Sequence, residues 1–206
     1  MKKFWVLALA VFLCRGAAPA ASSFGLDCFP ASVGTAWTYD TKSKNGKERF
    51  PMRVTIDPSE KLKEGLAVVM TQKDRRGRMR SFLLVDESGV RLVKTGVSKA
   101  FTPEIDAWQR PPMPWMLFPL EPGQKFRWEG ILKVAWVDKK IVLDGEVVGE
   151  EDVTVPAGTF RCIRIHYHQL RGDEVVDEDV WYARGVGQVK YSGGTYIKEL
   201  SSFSVK

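Results

Sequence analysis

The sequence predicts an all-β protein: an antiparallel curved sheet or half-barrel built from two related β-meander halves, with little helix. Three observations predict it. Apolar and polar residues alternate with period two over most of residues 35–204, the spacing that sends successive side chains to opposite faces of a strand. Turn dipeptides such as Asn45-Gly46, Arg76-Gly77 and Ser88-Gly89 interrupt that alternation at short intervals. Beyond the first 20 residues, no stretch keeps apolar residues at helical spacing for long.

The first residues report on destination rather than fold. Met1-Lys2-Lys3 is a short basic region, Phe4 to Leu13 is an apolar run, and Ala18-Pro19-Ala20 is a small-x-small cleavage site. Together they predict a secretory signal peptide over 1–20, with an apolar run too short to remain as a membrane span. Lipid attachment at Cys14 is the alternative, but that signal wants a small residue before the cysteine, and Leu13 stands there. The expectation is an exported chain, periplasmic or secreted, with one all-β domain over 21–206. Loss of Lys2, Lys3 and Arg15, with no acid, lowers the formal charge from +6 to +3. So small an excess argues against nucleic acid as a partner and leaves a peripheral contact with anionic membranes open.

The strands follow in order. TAWTYDT leads to the Asn45-Gly46 turn, where both residues tolerate positive φ. RFPMRVTI, LAVVMTQ, RMRSFLLVD and VRLVKT complete a first meander. Residues 101–116 hold Pro111, Pro112 and Pro114 and show no clean period. They are expected to form a Pro/Trp-rich loop linking halves of about 29–100 and 117–206. In the second half KFRWEGILKVAWVD is expected to turn at Lys139-Lys140 into IVLDGEVVGEEDVTV. Turns at Pro156-Ala157-Gly158 and Arg171-Gly172-Asp173 bound TFRCIRIHYHQL, and EVVDEDVWYA, GQVKY and TYIKELSSFSV follow. Each half opens with Phe-Pro, then Gly, then a Trp-bearing strand, at Phe29 to Trp37 and at Phe118 to Trp128.

Those segments carry a resemblance. FPASVGTAWTYD, FPLEPGQKFRWEG, VTVPAGTFRCIRI and VWYARGVGQVKY together resemble the TapB-like group of exported bacterial β-proteins, most without an assigned activity. The matching positions here are Phe118 to Trp128, Val155 to Phe160 and Trp181 to Gly187, with Gln124 and Phe126 departing from the first pattern. The resemblance implies a curved antiparallel sheet like those that carry lipoproteins or other apolar cargo. It implies no catalytic residues.

Candidate chemistry is sparse. His166 and His168 share a strand face with Cys162, but four residues along a strand is about 13 Å, so one straight strand cannot bring all three to a metal, and no metal is expected. Asp173 to Asp179 reads as a solvated acidic hairpin, and Arg75 to Arg80 as an exposed basic tip. There is no Gly-x-Ser-x-Gly elbow and no phosphate-binding loop. Cys28 and Cys162 are candidates for a disulfide in an oxidising compartment, against two buried free thiols. The remaining lead is apolar. Trp108, Met113, Trp115, Met116 and Leu117 lie on or beside the Pro-rich stretch, which could be a lid over a cavity or a permanent plug. The expected ligand-binding residues are Trp108, Met113, Trp115 and Met116, with Trp128 from the strand that follows. The expected function is therefore a non-enzymatic, cofactor-free envelope protein that binds or carries an apolar small molecule or lipid. The alternatives are an interaction module with a filled core that docks an envelope protein, and then a hydrolase.

Overall fold

The computed structural model describes residues 24–99 and 102–206; the expected signal peptide over 1–20 and Cys14 lie outside them. Twelve strands run in chain order: β1 (Ala36–Ser43), β2 (Arg49–Lys61), β3 (Leu66–Asp74), β4 (Gly77–Asp86), β5 (Gly89–Ser98), β6 (Ile105–Leu117), β7 (Lys125–Val134), β8 (Val137–Val155), β9 (Gly158–Arg171), β10 (Glu174–Ala183), β11 (Gly187–Gly193) and β12 (Tyr196–Ser204). Among the described residues the only helix is one 3-10 turn, Leu26–Cys28. Each strand pairs antiparallel with its neighbours in sequence, and β1 pairs with β12 from Ala36↔Ser204 to Ser43↔Tyr196. The all-β antiparallel expectation holds, but the half-barrel is corrected: the sheet is a closed barrel. Alternation in sequence reports which face of a strand is buried, not whether the two outermost strands meet. Closure removes both free edges. Register shifts such as those at Thr38/Tyr39, Phe82/Leu83 and Val147/Gly149 supply bends of the kind a barrel needs to curve.

Two further expectations are corrected. The expected loop at 101–116 is largely strand β6. Pro111 and Pro112 sit where the β5 ladder is missing, and Pro114, opposite Arg91 on β5, lies beyond the end of the β7 ladder. β5 pairs Leu92 with Met113 and then Lys94 with Trp108, passing over 109–112, and β6 meets β7 only across Ala107–Arg110. A proline without a ladder partner loses nothing by lacking an N–H. The second correction concerns the next hairpin, which turns at Ala135-Trp136 rather than Lys139-Lys140, with Ala135 at φ 51°.

The barrel has two unlike ends. At one end lie the turns β2–β3, β4–β5, β6–β7, β8–β9 and β10–β11, together with the segment before β1. That segment forms a floor. Leu120 donates its N–H to the Phe24 carbonyl at 2.7 Å, Gly185 donates to the Asp27 carbonyl at 2.8 Å, and Arg184 pairs with Asp27 at 3.1 Å. Phe24, Cys28 and Phe29 are buried in one cluster with Leu143, Ile163 and Tyr182. Nearby, the long β8–β9 hairpin packs against β11 and β12, with Ala157 N–H on the Leu200 carbonyl at 3.0 Å and Phe160 edge-on to Phe203. The opposite end carries the other six turns.

Candidate functional site

The barrel interior holds a cavity of about 320 Å³. Its position follows from strand parity. On β9, Ile163, Ile165, Tyr167, Gln169 and Arg171 point the same way, and the first four are buried. The same face on β10 carries Glu178, Val180 and Tyr182, which oppose Tyr167, Ile165 and Ile163 in the register. Leu92, Met113, Leu143, Tyr167, Val180 and Tyr182 give the cavity mostly apolar walls. A narrower chamber of about 40 Å³ continues toward Phe29 and Pro30, sharing Trp115 and Tyr182 with the larger one. The lumen therefore runs from the six-turn end down to the floor.

Its upper part is polar. Lys198, Gln72, Glu178 and Arg171 border the cavity and are half-buried. Lys198 Nζ donates to Gln72 Oε1 at 3.4 Å and lies over the Tyr191 ring at 4.5 Å. Burial brings the Lys198 ammonium down to about 8, against the partial support of Glu178. Tyr191 donates to Glu178 Oε1 at 2.7 Å, and Arg171 donates to Gln169. Burial pushes the Tyr167, Tyr182 and Tyr191 hydroxyls up, so they stay protonated donors near neutral pH. Tyr167 spends its proton on the Trp115 carbonyl, which fixes β6 against β9 across the lumen.

The residues expected to bind ligand are divided by this geometry. Met113 and Trp115 border the cavity, and the Gln169 amide reaches Met113 Sδ at 3.5 Å. Met116 and Trp128 are buried in the core cluster and do not line the cavity. Trp108 is on the outside, with Lys94 stacked over it at 5.1 Å. Sequence reasoning missed Lys198, Glu178, Arg171 and Gln72. The signal existed for three of them, because period two places Lys198 beside Leu200, Glu178 beside Val180, and Arg171 on the isoleucine face.

The histidines face outward. His166 Nδ1 is 3.2 Å from Asp179 and His168 Nδ1 is 2.8 Å from Asp177, within a surface lattice of charges. Among the described residues no group of three His, Cys, Asp or Glu is arranged to hold a metal ion. The disulfide expectation is corrected: Cys28 and Cys162 are both free and buried. Cys28 belongs to the floor cluster and Cys162 to the cluster under the β8–β9 hairpin, so they occupy different parts of the core. Burial pushes both thiols up to about 12.

A family model described as DUF3108-like matches residues 135–202, from the β7–β8 turn into β12. Two solved structures are similar in fold. One is a candidate lipoprotein from Parabacteroides distasonis ATCC 8503, 16% identical, with 88% of this chain and 99% of that chain covered and a TM-score of 0.53. The other is a candidate exported protein with a YmcC-like fold from Bacteroides fragilis NCTC 9343, 19% identical, with 89% and 100% covered and a TM-score of 0.54. No curated protein matches the chain. The TapB-like name is not found among these matches.

Proposed function

We propose that this is an exported, non-enzymatic binding protein whose barrel lumen takes one amphipathic small molecule, apolar part downward and anionic head at Lys198. The observation that carries the reading is the cavity of about 320 Å³ between a closed floor and a polar upper rim. That volume lies at the lower end of the range for small-molecule sites, about 300–1,000 Å³. The apolar walls favour a hydrocarbon body. Lys198 and Arg171 against the single carboxylate of Glu178 leave one net positive charge, which selects an acidic head. Export rests on the leader-like residues 1–20 and is in keeping with the descriptions of the two fold neighbours, one as a candidate lipoprotein and one as a candidate exported protein.

The test is uptake of a fluorescent single-chain fatty acid by the purified protein. Ser81 lines the cavity and is buried, so Ser81→Phe fills the space. Wild type should bind the probe, Ser81→Phe should not, and Lys198→Met should prefer an uncharged probe of equal chain length. Absence of uptake by wild type, or unchanged uptake by a folded Ser81→Phe variant, overturns the reading.

A further inference from the structure

The six-turn end of the barrel carries features that ligand binding in the lumen does not use. Trp136, at the tip of the β7–β8 hairpin, is 91% exposed, and Val137 beside it is 55% exposed. Ile105 and Val97, on the adjoining β5–β6 hairpin, are exposed as well. Ile105 and Ala135 border the same surface hollow, so the two tips form one ridge. Lys133, Lys139 and Lys140 flank the tryptophan in sequence.

Charge separates the two ends. The turns of the six-turn end, each with two strand residues on either side, cover 42–50, 73–78, 97–106, 133–138, 170–175 and 192–197. They hold eleven Lys or Arg and seven Asp or Glu, a net of +4. The floor end counted the same way covers 24–37, 60–67, 85–90, 116–126, 154–159, 182–188 and 203–206. It holds five basic and six acidic side chains, a net of −1. The floor end also exposes apolar residues, Leu66 at 69% among them, but among the described residues it has neither an exposed Trp nor the positive balance. A protruding indole with lysines around it is the composition that partitions into the headgroup layer of a bilayer, and the positive charge fixes which bilayer.

We propose that the six-turn end docks on an anionic phospholipid surface, with Trp136 set into the headgroup layer and the basic turns against the phosphates. This orientation points the mouth of the lumen at the membrane. The proposal does not rest on the lumen being a ligand site, because the exposed tip and the charge balance stand without it.

The experiment is flotation with vesicles of phosphatidylglycerol and phosphatidylethanolamine, and separately of phosphatidylcholine alone. The protein is purified from its own host after export, and intact mass verifies that every variant has the same N-terminus. Wild type should float with the anionic vesicles and not with phosphatidylcholine, and added salt should release it. Trp136→Ser should lose most of the binding, while Leu66→Ser at the floor keeps it. Lys139→Gln with Lys140→Gln should weaken binding by about fivefold per charge, which decides the matter should Trp136→Ser fold poorly by circular dichroism. Equal flotation of wild type, Trp136→Ser and the lysine double variant overturns the proposal. So does binding that is indifferent to lipid charge, or no flotation at all. None of these outcomes bears on fatty-acid uptake in solution.

Discussion

Lys198 is the residue whose chemistry departs furthest from the pattern around it. A lysine on a barrel's inner face gives up hydration, and one hydrogen bond at 3.4 Å to Gln72 returns little of it. The folded pKa, about 8, is below the ordinary 10.5, so burial favours the neutral amine. Between those two values the unfolded chain holds the extra proton and the native chain does not. Stability contributed at this site therefore rises with pH across the window, and the penalty is fully present below about 8. Lys198→Met should stabilise the protein at pH 7 by roughly 1 to 3 kcal/mol. The gain should shrink as pH rises and vanish above about 10.5. Urea midpoints of the two proteins from pH 7 to 11 check this, and a gap that does not change with pH contradicts it. A half-buried charge kept at a stability cost makes Lys198 a candidate for a binding role.

At the scale of strands, most of the barrel was legible. The first meander appears as β1 to β5, and the Pro156-Gly158 and Arg171-Asp173 turns fall where turn chemistry puts them. The failures have physical causes. β6 carries prolines that a two-sided strand could not hold, and only its gapped pairing admits them. The Ala135-Trp136 turn was hidden because neither residue is a turn former, and Ala135 adopts a φ that favours glycine. The inward polar set was hidden for the opposite reason: charged residues near hairpin ends read as solvated tips. Packing between strands adds constraints that alternation does not show. Phe126 on β7 lies across Gly145 on β8, so closely that a Cβ there would fall 2.2 Å from the ring, and the ring meets Tyr167 edge-on at 6.3 Å. Gly145→Val should therefore cost roughly 1 to 3 kcal/mol through overpacking. Phe126→Ala combined with it should lose less than the sum of the two single changes, because the second removes the clash the first creates. Denaturant midpoints of the three variants measure the coupling.

Across the whole molecule, the faint repeat at Phe29-Pro30 and Phe118-Pro119 invites the view that each half could be a unit. Closure argues against it. The β1–β12 ladder joins residues as far apart as Ala36 and Ser204, and the core cluster around the lumen draws Phe24 from the floor segment, Leu83 from the first half, and Ile163 and Tyr182 from the second. A fragment of residues 24–100 or 117–206 would leave two unpaired edges and one wall of a lumen facing water. Both fragments should be unfolded or aggregated when made alone. The intact protein should unfold in one transition, with far- and near-ultraviolet circular dichroism coinciding in denaturant. Because the closing contacts span most of the chain, refolding should be slow for the length, in milliseconds to seconds or longer. Two separated transitions, or a monomeric half with a cooperative melt, would show that the repeat marks independent folding units. A single transition would mean that the floor, the lumen and the six-turn end are stabilised together. Core substitutions such as Gly145→Val should then weaken ligand uptake only by unfolding the protein, whereas Ser81→Phe should block uptake without lowering the population of folded barrel.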